Sequence, residues 1–125
     1  MATPESSHRK ASDNLSSATL MTGGEAVVKS LEAANVNVVF GIPGSHNLPI
    51  YDALAESEKI RHVLARHEQG AGFMADGYAR ASGNSGVCIT TTGPAALNTI
   101  SPLGTAYNDS VPVLLVTSQN PTKYI

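Results

Sequence analysis

The sequence predicts a doubly wound α/β domain, a mostly parallel sheet with helices on both faces. Three observations carry this expectation. Apolar, β-branched runs alternate with segments of helical apolar spacing, the rhythm that builds parallel sheets from βα units. The strand candidates are continuous apolar runs and not alternations, as expected where both sheet faces are covered. Each strand candidate is followed by a polar or glycine-rich loop, whereas the returning connections Ser57-Glu58-Lys59 and Gly83-Asn84-Ser85 are plain turns.

Residues 1–20 are rich in Ser, Thr and Asn and are expected to form a disordered leader, because so little apolar surface cannot offset the entropy of ordering. The domain is expected over residues 21–125. Thr22-Gly23-Gly24-Glu25 fits a capping box, and a helix should follow to Ala34 with Val27, Val28, Leu31 and Ala34 inward. Asn35 suits its carboxyl end. Val36 to Gly41 is the first strand, β-branched and aromatic. After the Ile42-Pro43-Gly44-Ser45-His46-Asn47 loop, Leu48 to Glu56 is a helix with Leu48, Tyr51, Leu54 and Ala55 inward. Arg61 to Arg66 is the second strand. The helix Glu68 to Ser82 follows, with Phe73, Met74, Gly77, Tyr78 and Ala81 on one face, and it ends at Gly83-Asn84. Gly86 to Thr91 is the third strand. Pro94 opens the next helix at a favoured first position; it runs to Asp109 with Leu97, Ile100, Leu103, Gly104 and Tyr107 inward, and Pro102 should kink or interrupt it. Val111 to Thr117 is the fourth strand.

Composition removes several function classes. A net charge of -2 gives no basic footprint for nucleic acid, and two Phe, four Tyr and no Trp make a poor base-stacking platform. The apolar runs are far shorter than a membrane span, so neither nucleic acid nor membrane is an expected partner. Cys88 is the only cysteine, which excludes an intrachain disulfide; it reads as a small core residue. His8, His46, His62 and His67 show no metal-ligand spacing, and no metal site is expected within the chain. The amino end lacks a secretory apolar core. Its serine content is only weakly like a transit peptide, since Glu5 and Asp13 interrupt it, and a cytoplasmic location is expected.

The four strands end at Ile42-Pro43-Gly44-Ser45, His67-Glu68-Gln69, Thr92-Gly93-Pro94 and Ser118-Gln119-Asn120. That edge is where open α/β sheets bind ligands. There is no GxGxxG after a strand and no P-loop lysine, so dinucleotide and nucleoside-triphosphate sites lack support. Glu68 stands at a strand's carboxyl end and in the next helix's first turn. Alone, it also reads as an acid favoured by the helix dipole, and His67 as a hydrogen-bonded turn residue.

Five motifs then stand in one order: Gly41-Ile42-Pro43-Gly44; Arg66-His67-Glu68-Gln69 with Asp76-Gly77-Tyr78-Ala79-Arg80; Thr91-Thr92-Gly93-Pro94 with Asn98; Asp109-Ser110-Val111-Pro112; and Thr117-Ser118-Gln119. Over roughly Leu20 to Pro121 the chain resembles the amino-terminal, pyrimidine-binding domain of thiamine diphosphate-dependent enzymes, in the branch of acetolactate synthase and benzoylformate decarboxylase. The resemblance implies a flavodoxin-like fold and thiamine diphosphate as cofactor. It implies that Glu68 is catalytic, hydrogen-bonding N1′ of the aminopyrimidine, and that Pro43, Gly44, Thr92, Gly93 and Asn98 line the cofactor. It places Ser45, His46 and Gln69 on the side of a 2-keto acid substrate; His46 reads equally as an exposed loop residue. Gln119 matches a family loop residue and reads equally as a strand-end cap.

Two departures stand out. Ala95 occupies a position where the family commonly has a second glycine. The family also carries a middle domain and a diphosphate-binding domain, and nothing here resembles either; the last strands of the pyrimidine domain look absent too. The ligands for Mg2+ are therefore expected from another domain, and flavin (FAD), whose contacts lie mainly in the middle domain, gains no support from this chain. The expected function is the pyrimidine half of a 2-keto-acid decarboxylase or carboligase. It would work in a homo- or hetero-oligomer with a thiamine diphosphate-enzyme chain and be inactive alone. The alternative is an inactive fragment that pairs with full-length relatives.

Overall fold

The computed structural model describes residues 20–121 and 123, so the expected leader falls outside it apart from Leu20. Nine elements follow in order: α1 (Gly23–Ala33), β1 (Val38–Gly41), α2 (Leu48–Ala55), β2 (Arg61–Leu64), α3 (Glu68–Ser82), β3 (Gly86–Thr90), α4 (Pro94–Asn98), α5 (Ile100–Asn108) and β4 (Val113–Thr117). The four strands form one sheet in the order β2-β1-β3-β4, and every pairing is parallel. α1 and α2 cover one face, where Val28, Leu31 and Leu54 pack on Val39, Val87 and Ile89. α3 covers the other, where Ala71 and Ala75 pack with Phe40 and Cys88. The doubly wound fold is thus as expected.

Local chemistry sets the helix ends. Thr22 Oγ1 accepts from the Glu25 amide at 3.2 Å while Glu25 Oε2 accepts from the Thr22 amide at 2.6 Å, the reciprocal capping box. Asn35 follows α1 with φ 59°, a left-handed conformation that Asn tolerates. α3 occupies the expected span and stops at Gly83, whose φ of 73° suits glycine. The Pro94–Asp109 segment is two helices. The break falls at Thr99 because Pro102 has no N–H for the Asn98 carbonyl and its ring would collide with it.

The helix faces are where sequence and structure part. α3 buries Ala71, Gly72, Ala75, Asp76 and Ala79, whereas Phe73, Met74, Gly77 and Ala81 are exposed. α4 and α5 bury Ala95, Thr99, Pro102 and Ala106, and Leu97, Ile100, Gly104 and Tyr107 face out. Leu48, Ala55 and Ala34 are also exposed. The cause is close packing. A Cβ on Gly72 would lie 2.9 Å from Pro102 Cβ, and one on Gly86 would collide with the Ala75 carbonyl. Only small residues fit between α3, β3 and α5, so the large apolar side chains are turned outward.

Asp76 and Asp109 lock this arrangement. Arg80 Nε donates to Asp76 Oδ2 at 2.9 Å and its Nη2 donates to Asp109 Oδ2 at 2.8 Å, tying α3 to the end of α5.

Candidate functional site

All four strands run the same way, so their carboxyl-end loops share one edge of the sheet. The first loop is held from within. Asn47 is fully buried; its Oδ1 accepts from the Gly44 amide at 2.6 Å and its Nδ2 donates to the Ile42 carbonyl at 3.2 Å. This leaves Pro43, Ser45 and His46 exposed and Gly44 half-buried. A Cβ on Gly44 would stand 2.9 Å from both Cβ and Cγ2 of Thr91, so glycine brings the first loop onto the third.

Thr91 also reaches the fourth loop. Its carbonyl accepts from Thr117 Oγ1 at 2.9 Å, and its hydroxyl lies 3.4 Å from Ser118 Oγ. Thr92 is half-buried, and Gly93 turns the chain into α4 with φ 62°. Ala95, at the position of the second glycine noted above, is buried and begins the α4 packing.

His67 caps α3, its Nδ1 accepting from the Gln69 amide at 3.2 Å. Glu68 is therefore the first residue of the helix, half-buried at the rim, and Gln69 is exposed beside it. Asn98, the last residue of α4, donates from Nδ2 to Glu68 Oε2 at 3.0 Å. That bond holds the Glu68 carboxyl below its usual 4.5, outweighing the opposing effect of burial. The carboxylate is thus ionised at neutral pH. Beneath it lies Cys88, whose thiol is pushed up to about 12, first by burial and then by the Glu68 charge.

The structure therefore joins Glu68 to Asn98 and presses Gly44 against the third loop. Pro43, Ser45, His46, Gln69 and Gly93 lie exposed along the same rim. Sequence reasoning gave no role to Thr99, nor to Asn47 and Thr91, which it noted only as members of the first loop and the third motif. Thr99 is fully buried and donates its hydroxyl to the Ala96 carbonyl at 2.6 Å, turning the chain just after Asn98. Thr90 Oγ1, buried at the end of β3, has no hydrogen-bond partner among the described residues. No sequence periodicity marks these positions; only the folded contacts do.

Among the described residues, no group of three or more His, Cys, Asp or Glu could hold a metal ion. No described helix is long and apolar enough to cross a membrane. A hollow of about 350 Å³ between α1 and α2 is lined by Glu25, Asp52 and Glu56 among others. It contains none of the candidate rim residues.

The class defined by these features is a parallel α/β ligand-binding domain whose rim offers a carboxylate held by an amide, with glycine-bearing loops beside it. Comparison with known proteins names the class. The family described as thiamine pyrophosphate enzyme, N-terminal TPP binding domain, matches residues 21–125, and the chain belongs to that family. It is 54% identical over 99 residues to the acetolactate synthase large subunit IlvB1 of Mycobacterium tuberculosis, covering 79% of this chain and 16% of that protein. It is 53% identical over 105 residues to a probable acetolactate synthase large subunit of Methanocaldococcus jannaschii, covering 84% and 18%. It is 56% identical over 100 residues to the probable 2-ketoarginine decarboxylase AruI of Pseudomonas aeruginosa, covering 80% and 18%. The chain thus spans less than a fifth of the length of these curated relatives.

Proposed function

We propose that this chain is the pyrimidine-side half-site of a 2-keto-acid decarboxylase or carboligase of acetolactate-synthase type. The observation that carries the proposal is Glu68, ionised at the rim with one oxygen held by Asn98 at 3.0 Å. A carboxylate so placed can share a proton with the aminopyrimidine N1′. Thiamine diphosphate, when bound, supplies the electron sink for loss of carbon dioxide from a 2-keto acid. The chain's own residues hold and orient the ring: Glu68 at N1′, Thr92 and Asn98 along the third loop and α4, and Pro43, Gly44 and Gly93 where backbone approaches closely. Ser45, His46 and Gln69 face the substrate.

The diphosphate and its Mg2+ need ligands that the described residues do not gather, and in this reading a diphosphate-binding domain supplies them across an interface. The outward faces of α3, α4 and α5 support such an assembly, because Tyr107 is 88% and Leu97 70% exposed, with Ile100, Phe73 and Met74 exposed beside them. We place the complex in the cytoplasm as a homo- or hetero-oligomer; flavin gains no support from these residues. The same apolar faces favour one second reading, a catalytically silent module that pairs with full-length relatives.

The test combines sedimentation and assay. The chain is mixed with a family relative's diphosphate-binding domain, thiamine diphosphate and Mg2+, and carbon dioxide release from pyruvate is followed. The proposal expects a complex that releases carbon dioxide while the chain alone does not. A complex without turnover of any 2-keto acid supports the silent module, and tight cofactor binding by the chain alone would refute the need for a partner.

A further inference from the structure

The Asn98–Glu68 contact has a consequence for where a proton can sit. Both partners are fixed by packed backbone. Glu68 opens α3 behind the His67 cap. Asn98 closes α4 at a corner made by buried Thr99, and Pro102 wedges the following helix against Gly72. An amide N–H is a donor only, and it bonds a carbonyl-type oxygen better than a hydroxyl oxygen. While Nδ2 lies 3.0 Å from Oε2, protonation of Oε2 would weaken that bond, whereas protonation of Oε1 leaves it intact.

We propose that Asn98 is a positioning residue that clamps Glu68 Oε2, so that any proton Glu68 exchanges with its ligand is carried on Oε1. This deepens the assignment of Glu68 to a pyrimidine nitrogen and rests on it for its catalytic meaning, though the clamp belongs to the chain without ligand. One oxygen is reserved for the protein and the other for the ring. The amide also stabilises the charged form, which makes protonated Glu68 a stronger proton donor to the ring nitrogen and its carboxylate a weaker base.

The test is NMR on the ¹³C,¹⁵N-labelled chain. In the wild type the Glu68 side-chain carboxyl and the Asn98 side-chain amide should titrate with one shared midpoint. In Glu68→Gln the pH response of the Asn98 amide should vanish. The midpoint should rise by about half a pH unit or more in Asn98→Leu, and further in Asn98→Asp, where a like charge faces the carboxylate. Glu25 and Glu32 should not move, which a general loosening of the fold would not spare. An Asn98 amide indifferent to Glu68, or an unchanged midpoint in a folded Asn98 variant, overturns the clamp. The wild-type and Glu68→Gln spectra decide the matter should the Leu variant not fold. If the clamp is present yet thiamine diphosphate with the partner domain leaves the Glu68 resonance unmoved, the cofactor assignment fails and the clamp stands.

Discussion

Two glycines of α3 should respond to one substitution with opposite signs. Gly72 and Gly77 both lie inside the same helix, so replacing either by Ala gains about 0.8–1 kcal/mol of intrinsic helix propensity. Around Gly77 an added Cβ meets nothing within 4 Å, so Gly77→Ala should stabilise the chain by nearly that amount, about 0.5–1 kcal/mol. Around Gly72 the new methyl falls 2.9 Å from Pro102 Cβ and nearer still to Cγ, where ordinary contact is 3.4–4 Å. A proline ring cannot rotate away, so α5 must retreat by roughly 1 Å, at an overpacking cost of about 1–3 kcal/mol. Net of propensity, Gly72→Ala should destabilise by up to about 2 kcal/mol, and because the propensity gain is common to both, the two variants should differ by the overpacking cost, about 1–3 kcal/mol. Urea unfolding reads this as midpoints moving in opposite directions with equal slopes. Equal midpoints for the two variants would refute the packing of α3 on α5 and with it the placement of Asn98 beside Glu68.

Other consequences follow from single contacts. Arg80→Met should cost more stability than Asp109→Asn, because the first strands the Asp76 carboxylate, whose side chain is 9% exposed, and the second breaks a pair open to water; denaturation of both variants ranks them, and the reverse order would contradict it. Thr22→Ala should cost about 1 kcal/mol through loss of the α1 cap. The carboxyls of Glu25, Glu32 and Glu68 are held below 4.5 in the folded chain, so their contribution is complete above 4.5 and is lost as pH falls through the depressed values; stability measured from pH 7 to 3 should decline in that window, and less steeply in Thr22→Ala, where Glu25 loses its partner. Cys88, buried and pushed up to about 12, should stay unreactive to a thiol reagent at pH 8 until the chain unfolds, and reaction at the rate of a free thiol would contradict its burial.

The order of elements was legible because strand runs and helical spacings differ in period, and the α3 boundaries are written in His67-Glu68 and Gly83. The faces of α3 and α5 were not legible. Both helices carry apolar residues on two sides, and spacing alone favours the side with Phe73, Met74, Ile100 and Tyr107. Contact distance decided otherwise: Gly72 against Pro102 and Gly86 against Ala75 admit only small side chains. Large apolar residues left outside are what a surface awaiting a partner looks like, a property that one chain's periodicity cannot separate from a core. At the rim, Glu68 could be singled out from its place at a strand end. Its bond to Asn98 spans 30 positions of sequence and depends on a helix break at Thr99, set by Pro102. The bracing of the loops by Asn47 and Thr91 likewise exists only once the strands are side by side.

One substitution tests most directly the proposal that Glu68 serves thiamine diphosphate beside a diphosphate-binding domain. Glu68→Gln keeps the volume and removes the ionisable oxygen, so the chain should still fold and still assemble with the diphosphate-binding domain. Carbon dioxide release from the 2-keto acid by that complex should then fall by about a hundredfold or more, the scale of a lost acid–base group. Undiminished release by an equally assembled Glu68→Gln complex would contradict the account.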